Sequence, residues 1–113
     1  MKYLSNGLSP NMFSFQKGKV TVKIEHINVN EFCTNIKDAV NTIGHQSTAD
    51  LINSLCGTSL KMNRITFTAS KGDEIYVITL TIRLEEGKVL SADEIAELMN
   101  QGKIKFMRAV IVE

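Results

Sequence analysis

The sequence contains little proline and little cysteine, which excludes several classes of protein. One proline among 113 residues excludes a proline-rich linker, and two cysteines are too few for the disulfide framework of a small secreted domain. These cysteines, Cys33 and Cys56, do not have the C-x-x-C spacing of a structural zinc site. We therefore expect both to be reduced thiols packed on apolar helix faces, although the sequence leaves open whether the two pair with each other.

Long apolar runs and an excess charge of one sign are also missing. No segment approaches the roughly 18 apolar residues of a membrane span, and residues 1–6 lack the apolar run of a signal peptide. Lysine and arginine number 13 against 12 acidic residues, a net charge of +1, which argues against a protein that coats nucleic acid non-specifically. We expect a cytoplasmic protein.

The composition and the hydrophobic pattern are those of one globular domain over residues 1–113. Hydrophobic residues make up 43% of the chain and charged residues 22%. The periodicity predicts the order β, β, α, α, β, β, α, β. Strands are predicted at 1–5, 19–29, 64–70, 74–83 and 104–112, and a turn at 71–73 predicts that the third and fourth form a hairpin. The first helix is predicted to begin at Asn30, with Val40 on its apolar face, and the second is predicted to begin at Ser47 or Thr48 and to end at Gly57. The third is predicted to begin at Ser91, which forms a capping box with Glu94. We expect an α+β fold with a mixed sheet of about five strands and about three helices, mainly on one face.

His45 is the first candidate for chemistry. It lies just ahead of the second predicted helix, whose free backbone N–H groups can bind an anion such as phosphate. An imidazole beside a bound phosphate can donate a proton to a leaving oxygen. The alternative is a loop histidine that is hydrogen-bonded to the backbone.

Arg83 and Glu86 follow the fourth predicted strand. The guanidinium of Arg83 could hold a phosphate through two parallel hydrogen bonds, and Glu86 could hold Arg83 or a ribose hydroxyl. An ordinary surface salt bridge is the alternative.

Polar side chains in two other segments could contact a nucleotide. Asn6, Ser9 and Asn11 lie in a turn-rich loop and suit base edges, ribose hydroxyls or phosphates, although the same residues also stabilise turns. Arg64 opens a predicted strand and is a second candidate phosphate contact, or else a solvated charge.

Several short motifs resemble, in the right order, those of the viral ring nucleases. These are type III anti-CRISPR proteins of archaeal viruses and bacterial phages. The N-terminal loop at residues 6–12 resembles theirs, and Ile-Gly-His-Gln-Ser-Thr at 43–48 resembles their Ile-Gly-His-Asp-Ser-Thr motif. Arg-Leu-Glu-Glu-Gly-Lys at 83–88 matches a run of the same family. The likeness covers nearly the whole chain.

The resemblance implies a homodimer that binds cyclic tetra-adenylate across its interface and degrades it without a metal or other cofactor. The ribose 2′-hydroxyl attacks the adjacent phosphate, and the products are linear di-adenylates that end in a 2′,3′-cyclic phosphate. Destroying this messenger would suppress type III CRISPR immunity in the cytoplasm of the host cell.

The same resemblance assigns roles to individual residues. His45 matches the general acid, and Arg83 and Glu86 match the charged pair of the active site. Positions that match ligand contacts are Asn6, Ser9, Asn11, Ser47 and Arg64. Gln46 replaces the acid that usually follows the histidine, and Pro10 replaces an apolar residue.

Two further classes of function remain open on the sequence. One is a non-catalytic binding module, either a cyclic-oligoadenylate sponge or a small viral DNA-binding regulator. The other is a structural interaction protein whose polar loops are simple turns.

Overall fold

One mixed β-sheet of five strands organises the chain. The computed structural model describes residues 1–84, 87 and 90–112. The strands are β1 (Lys2–Ser5), β2 (Val22–His26), β3 (Val40–Asn41), β4 (Glu74–Leu80) and β5 (Ile104–Ile111), and their order across the sheet is β2-β5-β4-β1-β3. The α+β class and the single domain predicted from the sequence are confirmed.

The directions of the strands decide where the loops meet. β1 is parallel to both of its neighbours, β3 and β4. β5 is antiparallel to β4 and to β2. The carboxyl ends of β1, β3 and β4 therefore lie at the same edge of the sheet, where ligands commonly bind in open sheets with parallel strands.

In the part of the chain that the structure describes, three helices pack on one face of the sheet. They are α1 (Val29–Asn35), α2 (Gln46–Cys56) and α3 (Ala92–Asn100), and single 3₁₀ turns occur at Pro10–Met12 and Ile36–Asp38. Local signals set most of their ends. Ser91 and Glu94 form the predicted capping box of α3, and Gly57, at φ 67°, ends α2 as predicted.

Each face of the sheet buries its own apolar cluster. The larger cluster lies under the helices and includes Phe32, Ile52 and Phe106. The smaller lies on the opposite face around Ile75 and Ala109, where irregular chain rather than helix covers it. The prediction that the helices lie mainly on one face is confirmed.

The predicted strand at 64–70 is wrong. Its only ladder contact in the described part of the chain is an isolated bridge between Phe13 and Ala69. The turn at 71–73 does form, since Asp73 N–H donates to the Ser70 carbonyl at 2.9 Å. However, both edges of β4 are already paired, with β1 and β5, so no edge remains for a hairpin with 64–70.

The predicted starts of the first two helices are also corrected. Asn28, not Asn30, caps α1, because its side chain accepts a hydrogen bond from Glu31 N–H at 2.8 Å. α2 begins at Gln46 with His45 at the capping position, so Ser47 and Thr48 lie within its first turn. Val40, predicted on a helix face, belongs to the two-residue strand β3.

The two cysteines form a disulfide, contrary to the prediction of reduced thiols. Cys33 in α1 and Cys56 at the end of α2 have Cα atoms 5.1 Å apart. Both are packed against the larger apolar cluster, so their predicted location was right. Sequence spacing could not reveal the bond, because it depends on how α1 packs against α2.

Candidate functional site

A first cleft opens at the carboxyl edge of the parallel strands. Asn6 enters it directly after β1, His45 follows β3, and Arg83 follows β4. The cleft has a volume of about 980 Å³, and the described residues that line it are Asn6, His45, Ser47, Thr48 and residues 80–84. The topology thus brings together three segments that lie far apart in the sequence.

A second cleft of about 410 Å³ adjoins the first and shares Asn6 and His45 with it. Its lining also includes the three remaining ligand-contact candidates, Ser9, Asn11 and Arg64. All seven predicted site residues in the described part of the chain therefore lie in these two clefts. The eighth, Glu86, lies outside the described residues.

His45 is an exposed side chain at the start of α2. Its backbone carbonyl accepts the first hydrogen bond of the helix, from Ala49 N–H at 3.1 Å, but its side chain does not cap the helix. The imidazole has no hydrogen-bond partner among residues 1–84, 87 and 90–112. This differs from the alternative of a histidine bonded to the loop backbone, and the exposed residue lines both clefts.

The peptide groups of Gly44 are held from two directions. Its N–H donates to Asn6 Oδ1 at 3.2 Å, and its carbonyl accepts from Arg64 Nε at 3.2 Å and Nη2 at 2.8 Å. A Cβ built on Gly44 would lie 3.4 Å from Arg64 Nε, which is van der Waals contact, so the guanidinium packs closely against the Gly44 backbone. These contacts fix the backbone immediately before His45.

Arg64 is therefore neither a fully solvated charge nor a free cation. Two of its five N–H donors bind the Gly44 carbonyl, and the others stay available to a ligand in the second cleft. Arg83 is exposed in the first cleft and forms no ion pair with the described residues. The alternative of a surface salt bridge concerned Glu86, which lies outside the described residues.

The N-terminal loop presents its polar groups through turns held by other residues. Ser5 Oγ donates to the Gly7 carbonyl at 2.7 Å and accepts from Gly7 N–H at 3.3 Å, which leaves Asn6 to reach Gly44. Ser9 precedes a 3₁₀ turn, and its side chain does not cap that turn. The turn-forming role predicted as the alternative for Asn6 thus belongs to Ser5.

Several residues of the clefts were missed by sequence reasoning. Thr42 is buried and donates to the Leu4 carbonyl at 2.7 Å, which joins the ends of β1 and β3. Phe67 lines the second cleft and stacks on Tyr3 with ring centroids 4.4 Å apart. Phe67 fell in the predicted strand at 64–70, where an aromatic residue indicates packing and carries no signal for a site.

Among the described residues, the ionisable groups with shifted pKa values lie at the opposite edge of the sheet. Partial burial raises the pKa of Glu74, but hydrogen bonds from Arg108 and Tyr76 outweigh this and hold it below its ordinary value. Burial raises the pKa of Tyr76. Glu74 begins β4, whereas the clefts lie beyond its end, so this network supports the sheet and not the candidate site.

Comparison with known proteins places the chain in a family of viral proteins. The family model described as STIV B116-like matches residues 2–106. The chain belongs to the STIV B116-like family. B116 of Sulfolobus turreted icosahedral virus has the same fold, with a TM-score of 0.88 and 38% identity over 96% of this chain and 97% of that one.

Two relatives of this STIV B116-like chain come from other viruses. An uncharacterized protein, ORF116 of Acidianus filamentous virus 1, is 44% identical over 109 residues, which are 95% of this chain and 92% of the relative. Uncharacterized protein 26 of Sulfolobus islandicus filamentous virus is 36% identical over 55 residues, about half of each chain. Among the described residues, no helix is long and apolar enough to cross a membrane.

Proposed function

We propose that this STIV B116-like protein is a metal-independent phosphodiesterase that cleaves cyclic tetra-adenylate. The observation that carries the proposal is His45, an imidazole without a partner in the described chain, in the same cleft as Arg83 and at the start of an eleven-residue helix. A helix start favours a phosphate group, and a neighbouring imidazole can protonate its leaving oxygen.

The proposed step needs no nucleophile from the protein. The ribose 2′-oxygen forms a bond to the adjacent phosphorus while the bond from phosphorus to the 5′-oxygen breaks. His45 gives its proton to that 5′-oxygen, and the 2′-hydroxyl proton passes to water. Arg83 neutralises charge on the phosphate as it becomes five-coordinate. The products are linear di-adenylates with 2′,3′-cyclic phosphate ends.

The ligand would bind between two copies of the chain. A cyclic tetra-adenylate has rotational symmetry, and a two-fold homodimer would present two copies of each cleft to it. Two His45 side chains would then act on opposite phosphates, which accounts for cleavage into two halves. Asn6, Ser9, Asn11, Ser47 and Arg64 would contact the bases, riboses and remaining phosphates.

The proposed role is the suppression of type III CRISPR immunity in the cytoplasm of an infected host. Membership of a family found in viruses supports this, because such a virus gains from removing a defence messenger. A sponge that binds the messenger without cleaving it would also lower its concentration, but less efficiently. Each copy of the protein would then remove only a stoichiometric amount of ligand.

The test is conversion of labelled cyclic tetra-adenylate in the presence of EDTA by wild type, His45→Ala and His26→Ala. His26 is the matched control, since it is the other histidine, is exposed on β2, and lines neither cleft. We expect wild type and His26→Ala to release linear di-adenylate alike, and His45→Ala to be slower by roughly 10²–10⁴-fold.

Other outcomes would contradict the proposal in different ways. Cleavage of an analogue that lacks the 2′-hydroxyls would refute the proposed nucleophile. Tight binding with the ring released intact would identify a sponge. Activity that appears only when a divalent ion is added back would refute metal independence. No binding of oligoadenylates, with steeply salt-dependent binding of DNA instead, would favour a DNA-binding regulator.

A further inference from the structure

Gln46, the residue directly after His45, bridges α2 to the segment that carries Arg64. Its Oε1 accepts a hydrogen bond from Met62 N–H at 2.9 Å, and its Nε2 donates to Asp50 Oδ1 at 2.8 Å. We infer that Gln46 is a positioning residue, which holds Arg64 against the Gly44 carbonyl and so sets the ligand contact that Arg64 makes. This inference rests on the proposed function.

The segment at 60–64 depends on side chains for its position. It has no regular secondary structure, and its backbone bonds largely to amide side chains of neighbouring elements. Asn53 binds both the N–H and the carbonyl of Leu60, at 2.7 and 2.9 Å. Asn41 Nδ2 donates to the Lys61 carbonyl at 2.7 Å. The next backbone group along the chain, Met62 N–H, likewise donates to an amide side chain, that of Gln46 in α2.

These contacts close a loop of interactions around His45. From Gln46 the path runs to Met62, then two residues along the chain to Arg64, and from the guanidinium back to the carbonyl of Gly44. Gly44 and Gln46 are the two chain neighbours of His45. A shift of Met62 would therefore move Arg64 relative to His45, and within the described chain it is the Gln46 side chain that joins α2 to Met62.

A backbone contact limits how far the segment can move. Asn63 N–H donates to the Ile43 carbonyl at 2.7 Å, one residue before Arg64. This bond does not involve Gln46 and would remain if the Gln46 side chain turned away. Loss of the Gln46 contact should therefore loosen Arg64 and not release it, so we expect a modest effect on affinity.

An amide suits position 46 because one end must accept and the other must donate. Met62 N–H is a donor, whereas the Asp50 carboxylate is an acceptor. A glutamate at this position could accept from Met62 but would meet the Asp50 carboxylate without a proton to share. Like charges at i and i+4 on a helix repel, so the side chain would turn away.

The test compares Gln46→Glu, Asp50→Asn and the double variant. Asp50→Asn retains an acceptor for Gln46 Nε2, so we expect it to behave as wild type. Gln46→Glu should weaken binding of cyclic tetra-adenylate about five-fold, the equivalent of one hydrogen bond, with kcat at saturation changed less than about two-fold. In the double variant the new amide at position 50 can donate to the new carboxylate at position 46, and affinity should return.

Two measurements keep the inference separate from the proposed function. Affinity is measured in the His45→Ala background, where the ring is not consumed. Hydrogen exchange of the Arg64 Nε–H is followed by NMR in the ligand-free protein, where we expect faster exchange in Gln46→Glu and wild-type exchange in the double variant. Unfolding temperatures show whether any variant has lost its fold.

Each result supports or overturns the inference. Unchanged exchange and affinity in Gln46→Glu would overturn it, as would faster exchange with unchanged affinity. If the affinity lost in Gln46→Glu does not return in the double variant with Asp50→Asn, the argument that position 46 needs one acceptor and one donor is overturned. If the wild type binds no oligoadenylate, the proposed function fails and the role in ligand contact fails with it. The exchange data then still decide whether Gln46 holds Arg64.

Discussion

Reducing the disulfide between Cys33 and Cys56 should destabilise the protein without disabling the candidate site. The bond closes a loop across a sequence separation of 23. The chain-entropy relation for that length gives about 3.4 kcal/mol at 25 °C. An unfolding entropy of about 240 cal/mol/K for a domain of this size converts this to a fall of about 14 °C in the unfolding temperature.

At temperatures well below the unfolding transition, reduction of the disulfide should leave the candidate site unchanged, because Cys56 and Gln46 lie at opposite ends of α2. Ten residue steps along the helix separate them, which is about 15 Å. The assay is thermal unfolding with and without reductant, together with thiol counting and turnover of cyclic tetra-adenylate at 25 °C. The control is Cys33→Ala/Cys56→Ala, whose unfolding temperature should not respond to reductant.

Three results would refute parts of this reasoning. If the unfolding temperature falls by less than about 3 °C when both thiols are free, the disulfide does not stabilise the protein through loop closure. Two reactive thiols in the denatured, unreduced protein would show that the bond does not form. Lost turnover in a reduced but folded protein would show that α2 transmits the change to His45.

Three other substitutions test parts of the fold and the site. Glu74→Gln should cost roughly 0.5–1 kcal/mol near pH 7, since its pair with Arg108 is partly exposed. Because the pKa of Glu74 is lowered in the folded protein, the difference in unfolding free energy between wild type and Glu74→Gln should shrink as pH falls below about 4.5 and through the folded pKa. Urea unfolding at several pH values measures this difference. Ser91→Ala should remove the capping box and cost about 1 kcal/mol in the same assay. Asn6→Ala should leave the Gly44 N–H without its partner and weaken cyclic tetra-adenylate binding about ten-fold by calorimetry, and an unchanged affinity would remove Asn6 from the site.

Local patterns in the sequence determined much of the architecture. The alternating runs that became β4 and β5 and the capping box at Ser91 act through neighbours in the chain, so they predict an element without knowledge of the fold. The segment at 43–48 includes the residues that begin α2. The local pattern alone therefore predicts His45 as a candidate site residue. The mixed sheet with helices on one face follows from the order of such elements.

Tertiary structure alone decided which distant groups meet. Residues 64–70 have the alternation of a strand, but they cannot join the sheet because β4 has β1 and β5 as neighbours. The pairing of Cys33 with Cys56 and the hold of Arg64 on Gly44 join residues some twenty positions apart, and no periodicity encodes such contacts. The sequence by itself thus determined most of the elements and the candidate side chains. The convergence of those side chains on two clefts required the parallel ends of β1, β3 and β4, because strand pairing is a non-local choice.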